Sequence, residues 1–166
     1  MRKQIINSVR QQVVSPAEQD WLDLEQLVQI ELTSEEEAHP IESIFTMNER
    51  EGWRAAQSGK QTIRLVFDEP QNIKQIKLLF HENEQERTQE FGLRWLSVND
   101  VSYQEIVRQQ YSFSPPHTIQ ELENYTVNLD GLKALELTIN PDISNSKAYA
   151  SLALLQIGRG YNDIKH

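Results

Sequence analysis

Two apolar runs, Ile63-Leu65-Phe67 and Ile76-Leu78-Phe80, each step by two residues, with Asp68-Glu69-Pro70-Gln71-Asn72 between them. Side chains of an extended chain alternate between faces, so this spacing predicts two half-buried strands separated by a break. The same period recurs along most of the chain. Val28-Ile30-Leu32, Phe91-Leu93-Trp95, Ile106 with Tyr103, Tyr125-Val127-Leu129 and Leu135-Leu137-Ile139 each supply one apolar side. In the last run, ASLALLQI, the adjacent Leu154-Leu155 interrupts the alternation and predicts a bulge. Breakers separate the runs at Ser58-Gly59, Glu69-Pro70, Val98-Asn99-Asp100, Ser114-Pro115-Pro116, Asp130-Gly131 and Asn140-Pro141-Asp142. About eight strands with no long helix between them cannot form a parallel, helix-crossed sheet. They predict an all-β fold, an antiparallel sandwich or barrel. Phe67, Ile76, Leu78, Phe91 and Leu137 fall on its core side.

One segment reads differently. In SPAEQDWLDLEQL, Ser15 suits a helix cap, Pro16 the first helical position, and Glu18 closes a capping box. Trp21, Leu24, Leu27 and Val28 then share a face, which predicts a short helix of about three turns against the sheet. Residues 1–14 fit neither period and are read as an edge strand or an extended arm. The expected organisation is an arm and helix over 1–27, a sandwich over 28–158, and a tail over 159–166.

Composition narrows the function classes. With 166 residues, 38% hydrophobic and 25% charged, the chain suits one soluble domain with a proper core. No apolar run approaches the roughly 18 residues of a membrane helix. Asn7, Ser8, Arg10, Gln11 and Gln12 interrupt any signal-peptide core. There are no cysteines, which leans towards a reducing compartment, so a cytoplasmic location is expected. A net charge of −9 repels phosphate backbones and anionic lipid, so neither nucleic acid nor membrane is the expected partner.

Catalytic templates find no match. Without cysteine there is no thiol chemistry, and His39, His81, His117 and His166 show no metal-binding spacing, so no metal or cofactor is expected. The glycines build neither a phosphate loop nor a nucleophile elbow. The acids fall in loops or on polar strand faces, where water keeps them ionised rather than poised for glycoside hydrolysis. Glu35-Glu36-Glu37 and the 81–90 loop read as solvated rims. No catalytic residue is assigned, and the expectation is a protein that binds rather than an enzyme. What remains is Trp53-Arg54, just after Glu51-Gly52, and His81 with Arg87: an aromatic face beside donors that suit hydroxyls or a carboxylate. Trp53 has two readings, core residue at a strand start or ligand platform.

The order of segments from about Val28 to Ile157 resembles the galactose-binding-domain-like superfamily, most closely its discoidin and coagulation-factor type C modules. VQIELTSEEEAHPIESIF resembles the opening strand and long first loop, GWRA the Trp that ends it, and QTIRLVFDEPQNIKQIKLLF the following strand pair. EFGLRWLSVNDVSYQEI, LKALELTINPD and SLALLQI resemble the later strands. The resemblance implies a jelly-roll sandwich that binds carbohydrate through loops at one end, with protein–protein recognition by the same end as the alternative. It places Trp53, Arg54, His81 and Arg87 as ligand-binding residues. Phe45-Thr46-Met47 stands where such modules carry a calcium-associated Asp-Gly, the cysteine pair is absent, and Glu136 or Thr138 replaces the penultimate-strand arginine.

Overall fold

The computed structural model describes residues 19–46 and 52–161. Among them, β1 (Gln19–Trp21) leads into a single helical turn, α1 (Leu24–Leu27), and then β2 (Val28–Leu32). A 3-10 turn (Ile41–Ile44) precedes β3 (Trp53–Ser58), β4 (Gln61–His81), β5 (Arg87–Ser97) and β6 (Gln104–Phe113). The chain closes with β7 (Gln120–Asn140), β8 (Tyr149–Leu152) and β9 (Leu154–Tyr161). Every pairing is antiparallel. The larger sheet runs β1-β9-β4-β7-β5-β6 with β2 also on β4, and β3 pairs with β8 in a small second sheet. This is the antiparallel all-β sandwich that the alternation predicts.

Two expected turns prove to be bends inside long strands. β4 runs unbroken through Pro70 and β7 through Gly131, each over 21 residues. The register between them shifts around Gln71 and Ile73, and Asp68, Glu69 and Pro70 are exposed there. A bulge leaves backbone groups unpaired, so the missing N–H of Pro70 costs nothing at that place. Gly131, at φ 68°, adopts the left-handed conformation of the bend, and its N–H donates to Asn72 Oδ1 at 2.9 Å. Before the bend β4 lies between β2 and β7; beyond it, between β9 and β7. One continuous ribbon thus supplies both layers. Phe80 beyond the bend meets Phe91 of β5 with ring centroids 5.1 Å apart.

The predicted helix is shorter than its sequence signature. Gln19 and Trp21 pair with Tyr161 and Gly158 of β9, and of the described residues of this segment only Leu24–Leu27 turn helically. The edge of β9 offers long-range hydrogen bonds that override a local helix preference. Ser15, Pro16, Glu18 and the arm over 1–14 lie outside the described residues. Gln19–Trp21 and Arg159–Tyr161, expected outside the sandwich, are therefore part of its larger sheet. The predicted bulge at Leu154-Leu155 is instead a change of sheet: β8 ends at Leu152 and β9 begins at Leu154. Leu152, Leu154 and Leu155 are all buried as the chain crosses, so alternation is lost. Phe67, Ile76, Leu78, Phe91 and Leu137 are core, none more than 4% exposed. No helix among the described residues is long and apolar enough to cross a membrane.

Candidate functional site

The first loop is stitched to β3 before any functional group is placed. Ser34 Oγ accepts from the N–H groups of Ala56 and Gln57 and donates to Gln61 Oε1 at 2.8 Å. Glu36 N–H donates to Arg54 O at 2.8 Å, and Arg54 N–H to His39 O at 3.2 Å. Trp53 is fully buried and its Nε1–H donates to Ser34 O at 2.9 Å. Of its two readings the structure selects core: the indole ties the loop down and offers no stacking face.

With the loop fixed, Glu36, His39 and Arg54 come together. His39 Nδ1 lies 3.0 Å from Glu36 Oε1, and Arg54 Nε lies 3.6 Å from Glu36 Oε2. The Arg54 guanidinium also sits 5.7 Å from the centre of the Tyr149 ring on β8. Opposite them stands the loop that follows β4. His81 ends that strand, and Glu82, Asn83 and Glu84 continue past it. These groups, with Ser151 and the edge of Trp53, line a cleft of about 260 Å³.

Glu82 organises its side of the cleft. One carboxylate oxygen accepts from the N–H groups of Glu84 and Gln85, both at 3.0 Å. The other accepts from Arg87 Nε at 2.7 Å. Burial pushes its pKa up, but the Arg87 bond and the two backbone N–H groups outweigh burial and hold the carboxyl below its ordinary value. Glu82 is therefore held ionised, the opposite of what proton donation requires.

Three of the four predicted site residues, Trp53, Arg54 and His81, share this cleft, Trp53 as wall. Arg87 does not: its side chain is 1% exposed and is bonded to Glu82 and Pro141 O. It lines a separate cleft with Thr88, Ser112, Phe113, Asp142 and Ser144. Glu36, His39 and Ser151 belong to the cleft of Arg54 and His81 without having been singled out, and Glu82, Asn83 and Glu84 come from the 81–90 loop that was read as a solvated rim. The acidic stretch at Glu35–Glu37 and the His39-Pro40 pair, in the long first loop, were the legible traces of two of them. Among the described residues no cluster of His, Asp and Glu is arranged to hold a metal ion.

No family model matches the chain, and no curated protein matches it in sequence. Solved structures match it in shape. The CBM32 of AlyQ, in complex with 4,5-unsaturated mannuronic acid, is 18% identical with a TM-score of 0.57, over 79% of this chain and 94% of that one. The family 32 carbohydrate-binding module of C. perfringens NanJ, in complex with galactose, is 12% identical with a TM-score of 0.58, over 84% and 98%. CpGH89CBM32-5 from Clostridium perfringens, in complex with GalNAc-beta-1,3-galactose, is 15% identical with a TM-score of 0.59, over 83% and 99%. The chain has the galactose-binding-domain-like β-sandwich fold of these modules.

Proposed function

We propose that this protein is a non-catalytic carbohydrate-binding module whose ligand enters the cleft between the first loop and the loop after β4. The observation that carries the reading is the cleft itself. It brings the guanidinium of Arg54, the imidazoles of His39 and His81, the carboxylates of Glu36, Glu82 and Glu84, and the amide of Asn83 to one space. Donors and acceptors interleaved in this way suit a ligand whose hydroxyls both give and take hydrogen bonds. That solved modules of this fold hold sugars supports the class.

Charge refines the reading. Three carboxylates line the cleft against one guanidinium, Arg54, which already leans on Glu36; the second, Arg87, is spent on Glu82 from behind. A sugar carboxylate would meet like charge, so the cleft favours a neutral sugar over a uronate. The test is a titration of the chain with neutral hexosides and the matching hexuronates. The neutral series should bind at least about tenfold tighter, the equivalent of about 1.4 kcal/mol. If no sugar binds and a pull-down returns protein partners, the same loop end is a protein-recognition surface. Release of reducing sugar from any tested glycoside would contradict a non-catalytic module.

A further inference from the structure

We propose that Arg87 is a positioning residue for the cleft: it fixes Glu82 from inside the sandwich, and Glu82 sets the backbone that carries Asn83 and Glu84. The inference rests on the carbohydrate reading only for what the cleft holds.

An arginine at the first position of a strand, with a side chain 1% exposed, is costly to bury unless its donors are spent. Here Nε and Nη1 reach three parts of the fold and the guanidinium packs on a fourth, while Nη2 has no hydrogen-bond partner among the described residues. Nε donates to Glu82 Oε1 at 2.7 Å, in the loop after β4. Nη1 donates to Pro141 O at 2.8 Å, in the segment after β7, and to Gln89 Oε1 at 3.2 Å on β5 itself. The guanidinium carbon lies 4.7 Å from the ring centre of Phe113, the last residue of β6. The planar fork has one orientation that serves all of these at once, so the group is rigid.

That rigidity is passed on through Glu82. Its second oxygen takes the N–H groups of the residues two and three positions ahead, which closes the backbone of the loop into a turn. Asn83 and Glu84, both exposed, are then presented to the cleft from a backbone anchored to the core. A cation merely neutralised inside the sandwich would not need its closest bond to run to the loop that forms the cleft wall.

Amide hydrogen exchange on the full chain tests this without any ligand. Lysine is a point charge that cannot hold Glu82 Oε1 and Pro141 O in one fork. In Arg87→Lys the N–H groups of Glu84 and Gln85 should exchange about tenfold faster or more, as expected for loss of a charge-assisted bond. The amides of Ile76 and Leu137 should keep their protection. Unchanged exchange at Glu84 and Gln85, or loss of protection spread evenly over the strands, overturns the proposal. If Arg87→Lys does not fold, the Arg87 Nε–H resonance in Glu82→Gln decides. A shift and faster exchange support the link, and an unchanged signal overturns it. Neither result depends on whether a sugar binds.

Discussion

Gly52 stands at φ 85°, and a Cβ added there would come within 2.3 Å of Leu152 O and 2.7 Å of Ala153 Cα, both backbone. It lets the chain turn into β3 against the crossover between β8 and β9, which places Trp53 in the core and Arg54 at the cleft. Gly52→Ala should destabilise the protein by at least about 2 kcal/mol, from left-handed strain plus the clash, read as a lowered Tm. Trp53→Phe should cost at least about 1 kcal/mol, through the lost bond to Ser34 and the smaller buried ring, and weaken sugar binding less than Arg54→Ala does. A Trp53 that stacked on ligand would show the reverse. Arg54→Ala should move stability by no more than about 0.5 kcal/mol and weaken sugar binding about tenfold, since a hydrogen bond to a charged group is worth about 1.5–3 kcal/mol. At this scale sequence reasoning named Arg54 and His81 together, and the structure brings both to one cleft. The burial of Arg87 was not legible, because a charged residue beside a polar loop looks exposed unless the partners that permit burial, Glu82 and Pro141, are seen beside it.

Elements were legible where one face is wet and the other dry, which is why β4, β5 and the second half of β7 were read in the right register. The bends at Pro70 and Gly131 were not, because a breaker marks an unpaired backbone group and a bulge supplies that as well as a turn does. Nor was β1, whose strand depends on an edge 137 or more residues later. Alternation also leaves open what the polar side does. On the wet face, Glu31, Arg64, Glu136 and Arg94 are register neighbours across β2, β4, β7 and β5. Glu136 accepts from Arg64 Nη2 at 2.8 Å and from Arg94 Nη2 at 2.5 Å, and Arg64 Nη1 reaches Glu31 at 2.7 Å. Burial works to raise the pKa of Glu136, but the two arginines outweigh it and hold it below the ordinary value. Its stabilising effect is therefore complete above the unfolded-state pKa and lost as pH falls through the lowered one. Glu136→Gln should cost about 1–2 kcal/mol near neutrality, the partly exposed arginines rehydrating, and the gap to wild type should close in acid.

The whole molecule carries a second, opposite pH dependence. Glu121 of β7 is 2% exposed, bonded to Gln89 and near Glu123; burial first, and Glu123 next, push its pKa from 4.5 up to about 8. The folded state keeps the proton that the unfolded chain releases, so stability falls as pH rises from about 4.5 to about 8 and then levels. Glu121→Gln, which cannot ionise, should flatten that slope in thermal melts at pH 5.5, 7 and 8. An unchanged slope would mean that Glu121 is ionised in the folded protein. The central claim is that one end of the sandwich binds a neutral sugar. Amide chemical-shift mapping during titration with the tightest-binding neutral hexoside tests it most directly. The account predicts saturable shifts at His39, Arg54, His81, Asn83 and Ser151, and none at Val101 beyond the far end of β5. Shifts centred on that far end, or no saturable shift at the cleft, would contradict it.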